Sequence, residues 1–258
     1  MNLGEDILEL RHISKTFPGI VALNNVSMSA KSGEVHALLG ENGAGKSTLI
    51  KILSGYHQPD KGGEMLIAGR PVTFRNPKDA IEASIHTIYQ ELTLCPHMTV
   101  AENIVLDKQG QFKGFLQRGH EYQAIAARAL EELGQSEIDP NWLVKDLSIA
   151  QQQVVEIAKA VSSKAKIVLM DEPTSSISQN DADRLMEIIR GLRANGVAII
   201  YISHRLHEIG GIADRARATD FPDPAAATPA SGPDRQCFPQ AHRQPAPGVP
   251  APWHPTDC

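Results

Sequence analysis

Residues 40–48 read Gly40-Glu41-Asn42-Gly43-Ala44-Gly45-Lys46-Ser47-Thr48. Glycines spaced this way ahead of a lysine and two hydroxyls make a phosphate-binding loop. The glycines let backbone amides close on phosphate oxygens. The lysine reaches the terminal phosphates, and the hydroxyl holds Mg²⁺. The flanks agree with this reading. Val35 to Leu39 is a short apolar run of the kind a buried strand shows. Beyond Lys46, Leu49, Ile52 and Leu53 recur on one helical face, and Gly55 is placed to stop that helix. Strand, glycine loop and helix in this order bring an anion to the positive end of the helix dipole. All nine residues are therefore nucleotide-binding candidates for ATP, with Ser47 also a candidate Mg²⁺ ligand.

The bulk composition narrows the class. The 258 residues carry 25 basic and 30 acidic side chains, a net charge of −5, which gives no electrostatic case for nucleic acid. The longest apolar run, Val197 to Ile202, is far short of the roughly 18 residues that suggest a membrane span. Glu5 and Asp6 stand where an export signal is basic and then apolar, so a cytoplasmic protein is expected. Cys95, Cys237 and Cys258 are too few and too scattered for a disulfide framework or a metal cluster.

Residues 1–215 alternate strand and helix signals. Ile7 to Phe17 and Val21 to Ala30 read as paired strands, and Glu64 to Thr73 as a hairpin turning at Gly69-Arg70. A helical region spans about 95–160, with stripes at Tyr122, Ile125, Ala129 and Leu133, then at Val154, Ile157, Ala158 and Val161. Ile167 to Met170, then Leu185, Ile188, Ile189 and Leu192, then Val197 to Ile202 read as strand, helix and strand. The alternation predicts an α/β fold with a parallel sheet and covering helices. From Ala216 onward the composition changes: ten of the 17 prolines lie there, and Val249 is the only aliphatic residue larger than alanine. Residues 216–258 are expected to be a disordered tail.

A second element of a nucleotide site follows. Ile167 to Met170 runs into Asp171-Glu172-Pro173, an apolar strand ending in two carboxylates. Such a strand is expected to lie beside Val35–Leu39. Its first acid, Asp171, would support Mg²⁺, and Glu172 would orient or deprotonate the attacking water. Ser148 and Gln151 form S-x-x-Q ahead of an apolar-periodic helix, a capping box that presents a helix N-terminus.

Taken in order, these residues resemble the nucleotide-binding subunit of an ABC transporter through all of residues 1–215. The resemblance implies a P-loop NTPase (RecA-like) core with an antiparallel β subdomain and an α-helical subdomain. It also implies roles. Gln90, in Ile88-Tyr89-Gln90-Glu91, matches the family's Q-loop, near Mg²⁺ or water and the membrane subunit. His204, in Tyr201-Ile202-Ser203-His204-Arg205, matches the switch histidine at the γ-phosphate. Phe17 stands where the family stacks an aromatic ring on adenine, although it also reads as core packing. His204 and His207 share a spacing that permits a metal, but no third ligand is evident. Leu147-Ser148-Ile149-Ala150-Gln151 occupies the place of the family signature, LSGGQ, which faces the ATP of a second subunit.

Two departures qualify the expectation. Ile149-Ala150 replaces the family's Gly-Gly, and a branched side chain obstructs the approach of amides to phosphate. Ser178 replaces a loop aspartate but can cap the next helix, with Asp181 at its third position. The sequence resembles more narrowly the ATP-binding proteins of ribose, galactose, arabinose and xylose importers, whose chains hold two fused ATPase halves. That implies an ATPase powering monosaccharide import, peripheral on the inner face of the cell membrane. Its implied partners are permease subunits, a periplasmic sugar-binding protein, and a second ATPase half or a homodimer. The alternative is a nucleotide-binding fragment with little turnover; an ABC ATPase serving translation or DNA repair draws no support from the charge. The break after Arg215 suggests a frame shift or truncation. That hypothesis fails if neither other reading frame resumes an ATPase-like sequence.

Overall fold

Strand β1 (Asp6–Phe17) pairs antiparallel with β2 (Ile20–Lys31), closing a long hairpin at Phe17↔Ile20. The chain then forms β3 (Val35–Leu39), helix α1 (Lys46–Leu53), and the short strands β4 (Glu64–Ile67) and β5 (Arg70–Val72). Next come α2 (Pro77–Glu82) and β6 (Ile85–Ile88), followed by α3 (Val100–Val105), α4 (Arg118–Glu132) and α5 (Ile149–Ser162). The order closes with β7 (Ile167–Asp171), α6 (Gln179–Ala194), β8 (Ala198–Ile202), α7 (Leu206–Ile209) and β9 (Arg215–Ala218). This computed structural model describes residues 4–40, 43–106, 118–203 and 206–218, all within one compact unit.

The strands form two sheets. One is antiparallel, in the order β2-β1-β4-β5; the other is parallel, in the order β6-β7-β8-β3-β9. Its inner strands β3, β7 and β8 are buried on both faces, which is why they read as apolar runs rather than alternations. Val35, Ala37, Val168, Met170, Ile199 and Tyr201 point to one core, shared with α3, α4, α5 and α6. Leu38, Ile167, Leu169, Ile200 and Ile202 point to a second core, shared with α1 and the antiparallel sheet. The period-2 geometry of a strand assigns successive side chains to opposite cores.

Four features differ from the sequence expectation. The β4–β5 turn is Ala68-Gly69, both at positive φ (48° and 71°), with Ile67 opposite Arg70; a two-residue hairpin loop of this twist needs positive φ at both central positions. Second, β8 stands between β3 and β7, so the Asp171 strand is not beside the phosphate-loop strand. Third, β9 extends the parallel sheet to Ala218, past the compositional break at 216, because Arg215–Ala218 pairs its backbone with His36–Leu39. An apolar run is not needed where the main chain does the pairing. Fourth, α2 and β6 carried no strong periodicity: α2 begins with a cap, Asn76, and Pro77, and β6 has only four residues. Residues 219–258, including the rest of the expected tail, lie outside the described residues.

Candidate functional site

The phosphate loop begins where β3 ends. Gly43 and Gly45 hold φ of 93° and 77°, in the left-handed region that glycine enters without a steric cost. Gly45 caps α1, and with no side chain it leaves the first-turn amides of that helix uncapped. Such amides have no partner within their helix and face outward along its axis. Lys46 is buried, and its ammonium donates to the Gly40 carbonyl. Ser47 is exposed and Thr48 half-buried, while Ala44 packs partway into the turn. Glu41 and Asn42 lie outside the described residues.

Because β3, β7 and β8 are parallel, their C-terminal ends share one edge of the sheet, where ligands of open α/β sheets collect. Asp171 and Glu172 stand at that edge. Burial pushes the Asp171 carboxyl above the ordinary aspartate value, and the neighbouring charge of Glu172 adds to this; Lys46 and Lys51 of α1 pull the other way. The opposing pull of Lys46 links this carboxylate electrostatically to the loop lysine although β8 separates their strands. Glu172 itself has a φ of 48°, unusual for a residue with a side chain. Backbone of this kind persists where surrounding structure over-determines it, and it concentrates at functional sites. Here the Glu172 N–H donates to the Ile202 carbonyl at 3.0 Å, and the Glu172 carbonyl accepts from Ser175 at 3.1 Å.

Gln90 is exposed just beyond the end of β6, at the same edge. Two residues before it, Ile88 is fully buried between β6 and the helices. After it, Thr93 donates from both its N–H (2.9 Å) and its hydroxyl (2.7 Å) to Glu156 of α5. Glu156 is buried, with Lys159 at 3.5 Å. This bridge ties the Gln90 segment to the helical layer, and sequence reading missed it. A glutamate between Val155 and Ile157 looks like a solvated position until the fold covers it.

Phe17 closes the β1–β2 hairpin and is half-buried, belonging to neither core. Its ring meets His57 edge-on, 5.3 Å between centroids, and Lys15 Nζ lies 5.6 Å from its centre. It joins the hairpin end to the segment after α1. His204 lies outside the described residues; Ser203 before it is buried.

The expected capping box at α5 is present in both directions. The Gln151 N–H donates to Ser148 Oγ at 3.2 Å, and Ser148 N–H donates to Gln151 Oε1 at 3.0 Å. Ile149, the first residue of α5, is 47 % exposed, so a branched apolar side chain stands at the mouth of this helix end. Ser178 likewise caps α6, accepting from the Asp181 N–H.

The donor set at the sheet edge consists of a hydroxyl, an amide and carboxylates. These hard oxygen donors suit Mg²⁺ that arrives with a triphosphate rather than one held in an all-protein cage. No group of three or more His, Cys, Asp or Glu among the described residues is arranged to hold a metal.

Comparison with known proteins identifies the family. The family model described as "ABC transporter" matches residues 23–175. The chain is 53 % identical over 213 residues to "Ribose import ATP-binding protein RbsA 2" of Burkholderia pseudomallei, covering 81 % of this chain and 41 % of that one. It is 50 % identical over 209 residues to "Putative ribose/galactose/methyl galactoside import ATP-binding protein 1" of Agrobacterium fabrum, with the same coverage. The chain thus spans about two fifths of the length of the curated relatives it matches. Among solved structures, a nucleotide-free ATP-binding cassette from an ABC transporter superposes with a TM-score of 0.73 at 26 % identity, covering 83 % of this chain and 88 % of that one. The ADP conformation of another cassette gives 0.70 at 28 % identity, covering 81 % and 85 %. With its glycine loop, its paired carboxylates and its parallel sheet in place, the chain belongs to the ABC transporter family, as an ATP-binding cassette.

Proposed function

We propose that this chain binds and hydrolyses ATP to energise import of a monosaccharide. The names of its relatives support the transport reading. The observation that carries the nucleotide chemistry is the convergence at one sheet edge of the uncapped α1 amides, Lys46, Asp171 and Glu172. Lys46 and the amides of Gly43 to Ser47 hold the phosphates, and Phe17 stacks on adenine. Ser47, Gln90 and Asp171 would hold Mg²⁺, which would supply neutralisation of the phosphate charge. Glu172 takes a proton from the attacking water, and His204 stabilises the transferring phosphoryl group. Catalysis is positioning and electrostatics, with no covalent intermediate on the protein.

Residues 1–215, extended by β9, form the ATP-binding domain. Its partners in this reading are membrane permease subunits, reached near Gln90, and through them a periplasmic sugar-binding protein. No helix among the described residues is long and apolar enough to cross a membrane. We place the chain peripherally on the cytoplasmic face of the cell membrane, held by those permease subunits.

A second reading rests on Ile149. Exposed at the first position of α5, it impedes contact with a partner's ATP, so two copies of this chain would pair good phosphate loops with poor signatures. In that reading the isolated chain binds nucleotide and turns it over slowly, and a second ATPase half supplies the productive signature.

Titration with fluorescent Mg·ATP tests the first step. Saturable binding is expected, and its absence in folded protein removes both readings. Turnover then separates them: isolated-chain rates of about 1 s⁻¹ or more favour the active homodimer.

A further inference from the structure

Glu208 is a buried carboxylate of α7, 7 % exposed, to which neither the sequence nor the proposed mechanism assigns a role. Three hydroxyls converge on it. Thr174 Oγ1 lies 2.9 and 2.8 Å from its two oxygens; Tyr201 Oη and Ser203 Oγ are each 3.1 Å from Oε2. A carboxylate taken from water at this depth is costly unless hydrogen-bonded, and these donors supply that bonding.

The donors come from two places. Thr174 is two residues past Glu172, in the buried Pro173-Thr174 turn. Tyr201 and Ser203 flank Ile202 and, two apart along an extended chain, project to the same side. Ile202 is the residue whose carbonyl accepts the Glu172 N–H at 3.0 Å. The Glu172 turn and the end of β8 are therefore joined twice: by that backbone bond, and by the bridge from Thr174 through Glu208 to Tyr201 and Ser203. Glu172 holds its left-handed φ of 48° inside this double tie.

We infer that Glu208 is a positioning residue: through Thr174 it clamps the strained turn that aims the Glu172 carboxylate, and through Ser203 it couples that turn to the segment entering His204. This rests on the hydrolytic reading of the site. The clamp acts on geometry alone, so it governs the rate of the chemical step and not the affinity for nucleotide.

The test uses the full chain with Thr174→Val, which keeps the shape and removes the hydroxyl, and Thr174→Ser, which keeps the hydroxyl. Two readouts are taken: amide hydrogen exchange across residues 171–176, and single-turnover hydrolysis of radiolabelled Mg·ATP at saturation. Thr174→Val is expected to exchange about tenfold faster in that segment. It should also hydrolyse about tenfold more slowly, the order expected from misplacing one catalytic group. Its Kd for Mg·ATP stays within about twofold, and Thr174→Ser behaves as wild type. Wild-type exchange or wild-type hydrolysis in Thr174→Val overturns the inference, as does a loss confined to affinity. Glu208→Gln replaces it if Thr174→Val does not fold, with the same outcomes. A wild-type chain that binds no Mg·ATP refutes the nucleotide reading instead, and the exchange measurement still judges the clamp.

Discussion

Ser148 and Gln151 cap helix α5 reciprocally, each side chain bonding the other's backbone N–H at 3.2 and 3.0 Å. The pair closes a helix end that carries exposed Ile149 at its first position. The segment that we propose as the signature is thus a well-formed cap with an apolar residue at its surface. In the proposed function stability and recognition separate at this site: the cap stabilises the helix, while Ile149 and Ala150, between Ser148 and Gln151, decide what approaches it.

Ser148→Ala removes the N-cap acceptor and is expected to cost about 1 kcal/mol. In a domain of this size that lowers the thermal midpoint by roughly 2–4 °C. Scanning calorimetry measures it; an unchanged midpoint means the cap contributes nothing net.

Ile149→Gly opens the mouth of α5. It is expected to weaken the helix by up to about 1 kcal/mol, and to increase ATP-dependent dimerisation in a Glu172→Gln background. Sedimentation velocity with and without Mg·ATP reads the change. Equal self-association of the two forms would acquit the isoleucine.

Lys46→Ala removes the loop side chain proposed to reach the terminal phosphates. Affinity for Mg·ATP is expected to fall by at least about tenfold, or about 1.4 kcal/mol. Circular dichroism checks that the fold persists. Retained affinity would leave the phosphates held by amides alone.

Glu172→Gln keeps the shape of the side chain and removes its basicity. It is expected to bind Mg·ATP as wild type does and to lower single-turnover hydrolysis by at least about a hundredfold, within the usual range for a general base. Hydrolysis at the wild-type rate would remove Glu172 from that role.

Asp171 makes the fold sensitive to pH in a direction its environment determines. Its folded pKa lies above the ordinary 3.8 because of burial and Glu172. Protonation therefore favours the folded state, and stability is greatest below that ordinary value. It declines as pH rises through the folded pKa, where the buried carboxyl must ionise. Asp171→Asn lacks this decline. Relative to wild type the variant gains stability between those two pKa values and keeps the gain at neutral pH. Urea unfolding across pH 3–8 measures the difference; a constant gap between the two proteins would show that Asp171 is not the group responsible.

The glycine loop, the acidic strand end and the capping box were all legible in the sequence, because each is local. Phosphate needs free amides after a strand, a buried strand must be apolar, and a cap needs an oxygen three residues from a suitable amide. Parallel-sheet membership was legible for the same reason: Val35–Leu39, Ile167–Met170 and Val197–Ile202 are apolar without alternation. Tertiary structure alone decided the insertion of β8 between β3 and β7, since strand order depends on crossovers that leave no trace in a strand's own residues. It likewise decided β9, whose Arg-Ala-Arg-Ala carries no apolar signal and whose place comes from backbone pairing with β3. The burial of Glu156 and Glu208 also belongs to the fold. A glutamate on a helix reads as solvated until distant hydroxyls close around it, and the distance from Thr93 to Glu156 along the chain is 63 residues.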